Sequence, residues 1–180
     1  STNLNAGLII APEDFIKSGF AGSYAESSWI KTIGCYGSIN AELTPTEVSI
    51  SADHNIGGQQ WIQCDTDFSI SMPEDGVVSF DWDYTFRGYY SYDLPYLAVD
   101  GIQQELPGFG YEVGQQSIKT GVHTISLERG QVLSFRMKAI TYGNANRVRG
   151  ATVTFSNLTV TTQPRIDWYS EPIGGTFLGS

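Results

Sequence analysis

The run Arg87-Gly88-Tyr89-Tyr90-Ser91-Tyr92-Asp93 holds the densest chemistry in this sequence. Its three phenol rings follow an alternating segment, with a guanidinium and a carboxylate beside them. A tyrosine offers a flat face to the axial C–H groups of a sugar ring and a hydroxyl to its oxygens, while Arg and Asp can address sugar hydroxyls. Arg87, Tyr89, Tyr90, Tyr92 and Asp93 are therefore candidate ligand-binding residues. The competing expectation is that these rings cover one end of the fold or pack on a neighbouring domain. A second polar stretch, Thr141-Tyr142-Gly143-Asn144-Ala145-Asn146-Arg147, adds Tyr142, Asn144, Asn146 and Arg147 as candidates, although Asn/Gly-rich turns are also ordinary connectors.

Other constellations are weaker. Asp81 and Asp83 share one face of a strand and could be calcium ligands if Asp93 or backbone carbonyls completed about six oxygens. Arg136 and Lys138 lie on the polar face of another strand, and a cross-strand ion pair explains the aspartates without a metal. No other cofactor is called for. Cys35 and Cys64, an even number in a chain of exported character, predict a disulfide closing a loop of about 30 residues and worth roughly 3–4 kcal/mol. The alternative is two buried thiols. His54 and His123 are not spaced with the cysteines as zinc ligands would be.

Catalysis needs a nucleophile with its base or a positioned acid and base, and no such signature is present. Asp65-Thr66-Asp67 and Glu74-Asp75 are paired carboxylates only in sequence, near predicted turns. The expectation is a protein that is not an enzyme. A formal charge of -9, with no Lys/Arg cluster to interrupt it, opposes nucleic acid phosphates and argues against nucleic-acid binding. No run of eighteen apolar residues is present, so no membrane-inserting helix is expected. The chain opens Ser1-Thr2-Asn3 without Met and is expected to be a mature or excised fragment. Asn157-Leu158-Thr159 fits the N-glycosylation acceptor rule.

The elements that would position these residues are strands. Val48, Ile50 and Ala52 alternate with polar residues, as do Phe68, Ile70 and Met72. Phe80, Trp82, Tyr84 and Phe86 fall on one face, with Ser79, Asp81, Asp83 and Thr85 opposite, which predicts the centre of the core. Asp100-Gly101 predicts a two-residue hairpin. His123, Ile125 and Leu127 share an inward face, as do Leu133, Phe135, Met137 and Ala139. Ala151, Val153 and Phe155 change parity before Leu158 and Val160, which predicts a bulge near Ser156-Asn157. The aromatic, Gly-rich and Lys-poor composition fits an extracellular all-β protein. The fold class expected is an antiparallel β-sandwich, jelly-roll-like, over residues 1–160. Residues 161–180 read as a linker and the start of a following domain or a tail.

Residues 29–160 also carry a pattern of landmarks. These are Gly37-Ser38-Ile39-Asn40, Val48-Ser49-Ile50, Gly76-Val-Val-Ser-Phe-Asp-Trp-Asp-Tyr84, Tyr96-Leu-Ala-Val-Asp-Gly101, Gly130-Gln-Val-Leu-Ser-Phe135 and Gly150-Ala-Thr-Val-Thr-Phe-Ser-Asn157. In that order they resemble a β-sandwich repeat module of large secreted and surface, adhesin-like proteins of Bacteroidota. The tail from Asp167-Trp168-Tyr169 to Gly174-Gly175-Thr-Phe-Leu-Gly179 resembles the start of an Ig-like domain. The resemblance implies a non-catalytic, secreted or cell-surface binding and adhesion module. Its partner would be a glycan or other surface ligand. The rival implication is a spacer or self-assembling subunit that contacts neighbouring domains or copies of itself. Residues 86–94 depart from the pattern by being Tyr-rich, which is where individual specificity would lie.

Overall fold

The computed structural model describes residues 15–34, 37–41, 46–52, 62–86, 93–109, 117–141, 150–162, 168–169 and 177–179. Its strands are β1 (Ile16–Ser18), β2 (Ile30–Thr32), β3 (Ser38–Asn40), β4 (Glu47–Ala52), β5 (Ile62–Ser71), β6 (Gly76–Phe86), β7 (Leu94–Val99), β8 (Ile102–Glu105), β9 (Ser117–Leu127), β10 (Val132–Thr141), β11 (Ala151–Thr162), β12 (Trp168–Tyr169) and β13 (Phe177–Gly179). A first sheet runs β3-β4-β11-β6-β9, with β1 also paired to β11, and a second runs β2-β5-β10-β7-β8. All of these pairings are antiparallel. From β4 to β11 the chain crosses between sheets at every connection but β7–β8, which gives the strand order of a jelly roll. β12 and β13 pair with each other.

Period-two patterning makes each strand two-faced, and the apolar faces meet between the sheets. Phe80, Trp82, Tyr84 and Phe86 on β6 are each 1% exposed. Phe135 of β10 stacks on Phe155 of β11 at 4.2 Å between ring centroids, and Phe80 meets Phe135 edge-on at 4.9 Å. These contacts join strands of opposite sheets. Trp29, just before β2, stacks on Phe68 of β5 at 4.5 Å, so the irregular first segment is tied into the same core.

The expected hairpin and bulge are both present. Asp100 and Gly101 have φ of 51° and 79°, the left-handed pair that a two-residue turn requires. In β11 the register shifts between Ser156 and Thr159, with Asn157 at φ 52°, and Leu158 and Val160 are thereby returned to the buried face.

Candidate ligand-binding site

Strand register defines one end of the sandwich. Phe86 pairs with both Ala151 and Ser117, Ala151 pairs with Ala52, Thr141 pairs with Ile62, and Lys138 pairs with Leu94. The strands that border segments 53–61, 87–92, 110–116 and 142–149 therefore all finish at this end. The two candidate loops span the same two strand pairs: 87–92 links β6 to β7 and 142–149 links β10 to β11, with β6 beside β11 in the first sheet and β7 beside β10 in the second. Arg87, Tyr89, Tyr90, Tyr92, Tyr142, Asn144, Asn146 and Arg147 themselves lie outside the described residues.

Asp93 is described, and it is fully buried. Its backbone carbonyl accepts a hydrogen bond from Tyr84 Oη at 2.7 Å, which anchors the entry into β7 to the inward face of β6. The structure thus places Asp93 in the interior rather than on a surface platform.

Asp81 and Asp83 face outward from the first sheet, where Asp81 accepts from Asn157 Nδ2 at 2.7 Å and Asp83 from Thr85 Oγ1 at 3.4 Å. Arg136 and Lys138 face outward from the second sheet, so the ion pair expected with Asp81 and Asp83 does not form. Arg136 pairs instead with its register neighbour Asp67, donating from Nε at 2.6 Å and from Nη2 at 2.9 Å, and Asp65 lies 3.6 Å from Nη1. The hydrogen bonds to Asp67 hold the guanidinium pKa above its ordinary value, against the burial that would lower it. Asp65 and Asp67 are consequently strand residues with a cationic partner, not turn residues as expected. Among the described residues no three His, Cys, Asp or Glu side chains gather as a metal would need, and Asp93 does not join Asp81 and Asp83 on their face.

The same register lays a row across the outside of the second sheet: Thr32, Asp67, Arg136, Tyr96 and Glu105. Lys138, one step nearer the loop end, holds its Nζ 6.0 Å from the Tyr96 ring centroid. An aromatic ring framed by both charge signs can stack on a ligand while its neighbours donate and accept hydrogen bonds. Sequence reasoning missed this row. Tyr96 reads as one more residue of a hairpin, and only strand order shows that Arg136 and Asp67 lie beside it.

Cys64 is buried and disulfide-bonded, while Cys35 lies outside the described residues. Gly34, just before Cys35, is also hydrogen-bonded to β5, and Gly37 is bonded back to Gly34. Thr66 Oγ1 accepts from Gly34 N at 3.2 Å, and Gly37 N donates to Gly34 O at 2.8 Å. A Cβ on Gly34 would collide with the Asp65 backbone, and one on Gly37 with the Thr66 side chain, so both positions need glycine.

No protein-family model matches the chain, and no curated protein sequence matches it. Solved structures do. One is a family 11 carbohydrate-binding module from Clostridium thermocellum in complex with a β-1,3-1,4-mixed-linked tetrasaccharide, at 12% identity over 83% of this chain and 98% of that one, TM-score 0.36. Another is the N-terminal cellulose-binding domain of Cellulomonas fimi β-1,4-glucanase C, at 8% identity over 77% and 91%, TM-score 0.38. A third is an enzyme chain, a β-glucosidase from Kluyveromyces marxianus, at 12% identity over 58% of this chain but only 11% of that one, TM-score 0.31.

Proposed function

We propose that the chain is a non-catalytic extracellular binding module that takes a carbohydrate at the loop end of its sandwich. One observation carries this reading. The pairing of Phe86 with Ala151 and of Leu94 with Lys138 sets the strands that flank the Tyr89–Tyr90–Tyr92 segment beside those that flank the Tyr142–Asn144–Asn146–Arg147 segment, at one end of the sandwich. Segments that carry rings, amides and guanidinium groups are thus rooted at one end, and together they hold the residue types a sugar needs. Tyr96 and Lys138 continue that chemistry along the outer face of the second sheet. Asp93 contributes as a buried anchor and not as a contact. A mixed-linked tetrasaccharide and cellulose are what those similar modules are described with, whereas the case for this chain rests on its own residues. Screening the full chain on a glycan array is expected to show retention on at least one glycan. Retention on none would overturn the reading.

The module is further proposed to work outside the cell, as one unit of a longer adhesin-like protein in which residues 161–180 lead into the next domain. The disulfide at Cys64, for which Cys35 is the proposed partner, supports this, because a structural disulfide persists in an oxidising compartment. Alkylation of natively exported protein under denaturing, non-reducing conditions, read by intact mass, should add no label. Two labelled cysteines would remove both the staple and the argument for export.

A further inference from the structure

The first sheet ends on one side in β9, and among the described residues no strand pairs with the far edge of β9. The other lateral strands are short: β2 and β3 have three residues each and β8 has four. β9 has eleven, in unbroken register with β6 from Leu127 opposite Gly76 to Ser117 opposite Phe86. A long edge offers a row of backbone N–H and C=O groups to another strand, and proteins commonly blunt it with proline, a bulge, or a charge turned outward or inward. Of these β9 carries one, the inward Lys119, and its outward face carries no charge. Its outward side chains are Ile118, Thr120, Val122, Thr124 and Ser126, with Ile118 74% and Val122 62% exposed. Its one formal charge, Lys119, is turned inward, where the ammonium donates to the Phe109 carbonyl and sits 5.0 Å from the Phe109 ring centroid. Burial lowers the pKa of His123, which favours its neutral form.

We propose that β9 is a self-association strand, along which two copies of this chain pair antiparallel and join their first sheets into one continuous sheet about a two-fold axis at Val122. The strand is complementary to itself. About that axis Val122 faces Val122, Thr120 faces Thr124 and Ile118 faces Ser126 on the outer face, while Lys119 faces Ile125 on the inner face. No like charges meet, and β-branched residues pair across the strands. The nearest carboxylates, Asp81 and Asp83, stand one strand back on β6. Across the axis Asp81 is three strand spacings from its copy, about 14 Å, and Asp83 is farther from its own, both beyond the screening length at physiological salt. This surface is separate from the ligand site, so the inference stands or falls independently of the carbohydrate reading.

Analytical ultracentrifugation of the full chain tests it. The wild type is expected to show a concentration-dependent monomer–dimer equilibrium. Val122→Lys, which sets two ammonium groups against each other at the axis, should weaken association at least about tenfold, while Val122→Thr should leave it in place. Thermal unfolding of dilute samples checks that the variants fold, and Val122→Glu, which sets two carboxylates against each other at the same axis, substitutes if Val122→Lys does not. A wild type that stays monomeric at millimolar concentration, a species larger than a dimer, or a dimer indifferent to the lysine overturns the inference.

Discussion

At one end of the sandwich the chain turns within two to four residues, at 72–75, 100–101 and 128–131, whereas at the other the connections 53–61, 87–93, 106–116 and 142–150 take seven to eleven. The short turns are bonded to one another. Gly130 N donates to Met72 O at 2.8 Å, and Met72 N to Gln131 O at 2.8 Å. Asp75 Oδ1 accepts from Arg129 N at 2.6 Å, and Asp100 Oδ1 from Val132 N at 2.8 Å. Carboxylates at this end satisfy backbone N–H groups, which is structural work that leaves little to offer a ligand. The long connections carry Tyr89, Tyr90, Tyr92, Asn144, Asn146, Arg87 and Arg147 in sequence. One end holds the sheets in register, and the other is free to vary in sequence on a rigid support.

The largest effect is expected where both ends depend on the same packing. Phe135→Ala removes a ring that touches Trp29, Phe80 and Phe155 at once, and should cost about 3–5 kcal/mol in denaturant unfolding. A loss under about 1 kcal/mol would mean that the two sheets are held by something other than this cluster. A smaller effect should be confined to the tight end. Asp100→Ala deletes the acceptor for Val132 N and forces a Cβ residue with no local hydrogen bond into the left-handed region, a loss of about 1–2 kcal/mol. Glycan retention should be unchanged. If Asp100→Ala lowered retention at a temperature where it remains folded, the separation of the two ends would fail.

Much of this contrast is legible in the sequence, because alternation within one strand states which residues face inward. The aromatic row of β6, the Asp100-Gly101 hairpin and the bulge at Asn157 were all readable from parity or turn chemistry alone. What alternation does not encode is the neighbour. Arg136 has the same outward pattern whether it lies beside Asp81 or Asp67, and β10 lying next to β5 rather than β6 decides the matter. The Tyr96 row was hidden for the same reason, since its members come from strands far apart in the chain. Asp93 was misplaced for a different reason: a carboxylate after a polar run reads as exposed, and only the bond from Tyr84 to its carbonyl shows the chain diving inward there.

The most direct test of the binding end is a comparison of the wild type with a Tyr89→Ala, Tyr90→Ala, Tyr92→Ala triple variant on whichever glycan retains the wild type. The three substitutions, which lie outside the strands, should leave the cooperative unfolding transition in place, each changing stability by about 0.5 kcal/mol or less. Glycan retention should nonetheless be lost or fall at least about tenfold, since ring stacking supplies contact area that alanine cannot. Equal retention by both proteins, with both folded, would contradict the account.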